Sequence, residues 1–113
     1  MKLPNAELAI VPERKVALYL LNRAHPIGGA KSIFFQHHGF TLEQWQVLAG
    51  RLLHHALENE VVASDQNPHG IRYAVDGPLV APTGKSLNIR TAWFIDHGTE
   101  TPRFITAHPL PKP

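Results

Sequence analysis

The chain has 113 residues, of which 43% are hydrophobic, with eight histidines and a formal charge of +2. That length and apolar fraction suit one domain with one core and exclude a disordered chain. The absence of cysteine excludes disulfides, thiolate zinc sites and thiol catalysis, and the modest positive charge permits a polyanion partner without requiring one.

The first half reads as helical. Pro12 followed by Glu13 is a good first turn, because proline supplies a fixed φ where no N–H is needed. Val16, Tyr19 and Leu20 then make a helical stripe to about Asn22. A second helix is expected to open at Pro26 and to close at Gly39, the left-handed position after a helix. Thr41-Leu-Glu-Gln44 matches the capping box of a third helix, and Trp45, Leu48, Leu52 and Ala56 follow at spacings of three and four to about Glu58.

From Val61 the period changes to two. Asn67-Pro-His-Gly70 and Pro82-Thr-Gly-Lys85 are turns, and Ile71, Tyr73 and Val75 form one strand face. Leu87, Ile89, Thr91, Trp93 and Ile95 alternate with Ser86, Asn88, Arg90 and Ala92. A loop through Gly98 and Pro102 leads to a last strand over Arg103 to His108. Helices followed by a strand meander predict an α+β fold, with two to three N-terminal helices packed on one face of a four-stranded antiparallel sheet. One domain over residues 1–109 and a proline-rich extended tail over 110–113 are expected. No apolar run reaches membrane-spanning length and no signal-peptide pattern opens the chain, so a cytoplasmic protein with no membrane partner is expected.

His25-Pro-Ile-Gly-Gly-Ala-Lys31 concentrates chemistry. With a helix opening at Pro26, the N–H groups of residues 27 to 29 are expected to be free, and Gly28 and Gly29 let a ligand approach them. Lys31 adds a cation one turn later, and His25 is a proton donor or acceptor near neutral pH. These are parts for phosphodiester chemistry, although a routine proline start, a helix crossing at the glycines and a solvated lysine account for the same residues. The neighbours His37-His38 and His54-His55 diverge by about 100° on a helix, so neither pair clasps a metal. No metal or cofactor is expected. Thr91 shares the parity of apolar Leu87, Ile89 and Trp93, so its hydroxyl needs a partner or a cleft. Arg90 points the other way, and Thr106 shares a parity with His108.

Asn22-x-x-His25-Pro26-x-Gly28-x-x-Lys31, Phe35, Gly39-Phe40, Tyr73, Gly77-Pro78, Pro82-x-Gly84, Thr91-x-Trp93 and Pro102-Arg103-x-x-Thr106-Ala107 together resemble an uncharacterised bacterial domain family. Its members are small stand-alone proteins and the C-terminal tips of polymorphic, contact-dependent toxins. The resemblance implies a toxic enzyme, and by fold analogy one similar to the barnase–EndoU–colicin–RelE group of metal-independent ribonucleases. It further implies that His25, Lys31, Thr91 and Thr106 are catalytic, that Gly28, Arg90, Arg103 and His108 bind substrate, and that RNA is the substrate. A cognate antitoxin or immunity protein is the implied partner. His38 and His108 depart from the family pattern, which has an apolar residue and a tyrosine there. Two other readings stay open: a non-catalytic protein-binding module with a surface around Phe34, His37 and His54, and a phosphate-ligand-binding domain.

Overall fold

A computed structural model describes residues 1–111, and over them the helices precede the strands. Helix α1 (Glu13–Lys15) follows Pro12 and runs into a π-helical turn, Val16–Leu20. Helix α2 spans Gly29–His37 and α3 spans Trp45–Glu58. Strands β1 (Val61–Asn67), β2 (Gly70–Val80), β3 (Ser86–Asp96) and β4 (Arg103–Pro109) form one antiparallel sheet in the order β1-β2-β3-β4. The α+β layout expected from the sequence is the one observed.

The local signals explain most boundaries. The N–H of Gln44 bonds the Thr41 hydroxyl at 3.2 Å, but this closes a turn before the helix: Gln44 is the N-cap and α3 opens at Trp45, one turn later than the capping box predicts, with Leu48, Leu52 and Ala56 buried on one face. Gly39, at φ +98°, ends α2 in the left-handed conformation that a side chain resists. Two further boundaries differ from expectation. The first helix stops at Leu20 because the N–H of Leu21 reaches back five residues to the Val16 carbonyl, at 2.8 Å, and so closes a π turn. The second helix begins at Gly29 rather than Pro26. The tail also starts later: the N–H of Leu110 bonds the Asn88 carbonyl at 2.8 Å, which ties residue 110 to β3. The tail residues 112 and 113 lie outside the described residues.

The core joins the helices to one face of the sheet. Phe35, Leu48 and Leu52 from the helices meet Val75, Ile89, Trp93 and Phe104 from the strands. Residues of the other parity, among them Arg72, Asp76, Arg90 and Phe94, face away from the helices. Between β3 and β4 the register slips. Trp93 pairs with Phe104 and Ala92 with Thr106, leaving Ile105 as the extra residue of a bulge, a feature that bends a strand and re-aims its side chains.

Candidate active site

At the edge of β4, three side chains from distant parts of the chain converge. Lys31 Nζ donates to the Tyr19 hydroxyl at 2.6 Å and to Thr106 Oγ1 at 2.9 Å, and the two hydroxyls lie 2.9 Å apart. Tyr19 is delivered by the π turn, Lys31 by the first turn of α2, and Thr106 by the bulged strand. Burial would raise the Tyr19 pKa, but hydrogen bonds with Lys31 and Thr106 and the charges of Lys31 and Lys15 outweigh it, so the net shift is downward. Donor accounting shows what the cluster offers. An ammonium group has three protons, and two are engaged here. Of the two hydroxyl protons, one joins Tyr19 to Thr106 and the other is left over. Among the described residues no carboxylate lies within ion-pair distance of Lys31. A cation with two donors to offer and no counter-charge is suited to an anion.

His25 is beside this cluster, but not as expected. Its ring meets Tyr19 edge-on, with centroids 5.0 Å apart. Its Nδ1 accepts the N–H groups of Ile27 (3.1 Å) and Gly28 (2.9 Å), while its carbonyl accepts the N–H of Gly29 at 2.9 Å. The amides of residues 27 to 29 are therefore not free for a ligand, and the histidine itself caps the turn in the manner of an asparagine or aspartate. With its Nδ1 lone pair engaged and Nε2 carrying the proton, His25 has no lone pair for a base. Gly28 is corrected too. A Cβ there would stand 2.5 Å from the Tyr19 carbonyl oxygen, and one on Gly29 2.7 Å from that of Arg23, so both glycines serve chain packing rather than ligand approach. This predicts that His25→Asn, whose side-chain oxygen can accept the same amides, keeps stability close to wild type. His25→Ala should cost about 1 kcal/mol in a melting experiment. A loss in His25→Asn as large as that in His25→Ala would refute the capping role.

Thr91 lies elsewhere. It pairs with Ala107 on the core face, whereas its strand neighbour Ala92 pairs with Thr106, so the two threonines sit on opposite faces of the sheet. Thr91 is fully buried. Its hydroxyl donates to His55 Nδ1 (3.0 Å) and accepts from Trp93 Nε1 (2.8 Å), while His55 Nε2 donates to the carbonyls of Ile89 (3.0 Å) and Gly77 (3.1 Å). The expectation that Thr91 positions substrate gives way to a buried network that ties α3 to the sheet. Burial lowers the His55 pKa, and its bonds to Ile89 and Gly77 only partly offset this. The folded state thus binds its proton more weakly than the unfolded chain, whose imidazole titrates near 6.5. Stability should fall as pH drops below that value, by at most about 1.4 kcal/mol per pH unit from this group. Melting temperatures measured between pH 7.5 and 5 check this, and a flat profile would refute it.

The remaining residues lie on the open face. Arg90 binds Asp76 through two bonds (2.7 and 2.9 Å), and Arg103 binds Asp96 likewise (2.8 and 3.2 Å), so both arginines expected to bind substrate are held by a carboxylate. His108 pairs with Arg90 and is two residues from Thr106 on the same face. Its Nδ1 donates to the Pro109 carbonyl at 3.1 Å, which leaves Nε2 of the neutral ring with an open lone pair. Lys31 and Thr106 thus meet, with His108 near them, Arg90 and Arg103 engaged, and Thr91 apart. Sequence reasoning missed Tyr19, whose place in the helical stripe marked it as packing; its phenol beside a lysine one helix away was the only clue. Among the described residues no three histidines, aspartates or glutamates are grouped to hold a metal.

The architecture is that of a helices-then-meander α+β domain with a cationic, hydroxyl-bearing cluster at the last strand. The chain belongs to DUF6883, a domain of unknown function whose family model matches residues 2–111. Its fold is also that of a chain in a contact-dependent growth inhibition toxin–immunity protein complex from Klebsiella pneumoniae 342. The TM-score is 0.70 at 15% identity, over 89% of this chain and 99% of that one. At that identity the likeness is one of fold. No curated protein matches the chain.

Proposed function

We propose that the protein is a toxin-like endoribonuclease that cuts RNA by attack of the 2′-hydroxyl on the adjacent phosphate, without a metal. The observation that carries this reading is the cluster of Lys31, Tyr19 and Thr106, an uncompensated cation with one ammonium and one hydroxyl proton to offer. His108 Nε2 takes the 2′-hydroxyl proton, since imidazole is the side chain that trades protons near neutral pH. The crowded phosphorane gathers negative charge, which Lys31 and the spare hydroxyl meet with donors already in place. Tyr19, its pKa lowered, gives the spare hydroxyl proton to the departing 5′-oxygen, and water then restores that proton and takes the one held by His108. His25 holds the turn that carries Lys31 and pins the Tyr19 ring. The fold shared with a chain of a toxin–immunity protein complex supports a toxin-related role and a cognate antitoxin or immunity protein as partner.

The test is digestion of total RNA by the purified protein in EDTA. Discrete fragments with 2′,3′-cyclic phosphate and 5′-hydroxyl ends are expected, and intact RNA from folded protein would sink the proposal. A second reading, a module that binds a partner protein, is favoured by a cleft of about 560 Å³ lined by Leu18, Leu21, Phe40 and Leu42. Leu18 and Leu42 are 64% and 49% exposed there. Phe34, expected on such a surface, is instead partly buried against the core and meets His38 edge-on.

A further inference from the structure

The sheet face left open by the helices is ordered in rows. Cross-strand pairing sets Arg72, Phe94 and Arg103 in one row, Ala74, Ala92 and Thr106 in the next, and Asp76, Arg90 and His108 in a third. The first row has an unusual composition for a solvent-facing sheet: an aromatic ring between two arginines. The Phe94 ring closes down on Gly70, where a Cβ would stand 2.7 Å from its Cε2, so glycine at 70 is what lets it settle onto the backbone. The Arg103 guanidinium carbon lies 5.1 Å from the ring centroid, and Asp96 fixes the guanidinium through its two bonds. Ring and guanidinium are thereby held in place before any ligand arrives. Arg72 is exposed and, although Asp65 of β1 stands opposite it in the same row, has no carboxylate within ion-pair distance among the described residues. It also borders a shallow depression of about 220 Å³ with Ala63, Asp65 and Ala74.

The middle row connects this platform to the cluster. Ala74 and Ala92 raise no bulky side chain, and Thr106 ends that row. Rows on one face are about 6.8 Å apart and strands about 4.8 Å, so Phe94 and Thr106 are diagonal neighbours. A nucleotide can rest its base on one while its phosphate meets the other. We infer that Phe94 and Arg103 form a stacking platform for an unpaired nucleobase next to the scissile phosphate, which makes single-stranded RNA the substrate class. This rests on the ribonuclease reading. Stacking on aromatic and guanidinium planes is how proteins hold unpaired bases, whereas a duplex buries those base faces in its own stack.

The experiment compares binding of three fluorescently labelled probes by anisotropy: a 2′-O-methyl hexanucleotide, which lacks the attacking hydroxyl, an abasic oligomer of the same backbone, and a short duplex. The wild type should prefer the first. Phe94→Leu should weaken that probe by about 5- to 100-fold and leave the abasic one within twofold. Arg103→Lys, which keeps the charge, loses the plane and is exposed enough to spare the fold, should also weaken the first probe selectively, with folding of both variants checked by circular dichroism. Equal losses for base-bearing and abasic probes, or undiminished binding in both variants, would overturn the platform. If Lys31→Ala abolishes cleavage while Phe94→Leu and Arg103→Lys bind normally, the platform alone fails. No binding of any probe by folded wild type would remove the RNA reading and the platform with it.

Discussion

Lys31→Ala should lower RNA cleavage by about 10²- to 10³-fold, the usual cost of removing one preorganised donor from a charged transition state. The loss should fall mainly on kcat, because the phosphorane carries more negative charge than the bound phosphodiester. Lys31 is only partly buried and donates to two hydroxyls that can turn to water, so the melting temperature should move by no more than a few degrees. Lys31→Arg keeps the charge, yet a planar fork cannot reproduce two bonds that converge on one ammonium, so partial recovery is expected. His108→Gln tests the base separately, and a loss of similar size is expected there. Undiminished cleavage in Lys31→Ala would place the chemistry away from the β4 edge.

Thr91→Val should do the opposite, unfolding the protein more easily without slowing it. Valine has nearly the shape of threonine, but the change leaves His55 Nδ1 and Trp93 Nε1 without their partner in a site closed to water. Each orphaned polar atom costs about 1–3 kcal/mol, so a loss of a few kcal/mol is expected. For a domain of this size that corresponds to a fall in melting temperature of roughly 10 °C or more. Thr91→Ser, which keeps the hydroxyl, should recover most of it. Measured well below the melting point, kcat should stay within a factor of about two, because the Thr91 and Thr106 hydroxyls face opposite sides of the sheet and share no hydrogen-bond partner. A large drop in kcat at unchanged stability would return Thr91 to the active site.

The two variants contrast because parity along a strand is legible in a sequence, whereas the contents of the opposite layer are not. Alternation placed Thr91 with Ile89 and Trp93, and the need of a buried hydroxyl for a partner was therefore evident; that the partner is His55 depended on how α3 lies over the sheet. His54 and His55 look alike in sequence, and only the helix phase set by Leu48, Leu52 and Ala56 turns His55 inward. The same limit applied at residues 25 to 29. Proline and two glycines announced a turn before a helix, but a free amide and a capped amide have the same sequence. The rotamer of His25 and the closeness of Tyr19 and Arg23 decided between them.

The sequence by itself determined the α+β class, the order of helices and strands, the Gly39 stop, the opposite parities of Thr91 and Arg90, and the shared parity of Thr106 and His108. These follow from periodicity and turn chemistry, which act over a few residues. Only the tertiary structure decided that Lys31 meets Thr106, 75 positions away, with Tyr19 between them, and that Arg90 and Arg103 are held by aspartates. Contacts of that kind depend on a π turn, a bulge and the stacking of layers, each of which moves a side chain by several ångströms without leaving a local signal.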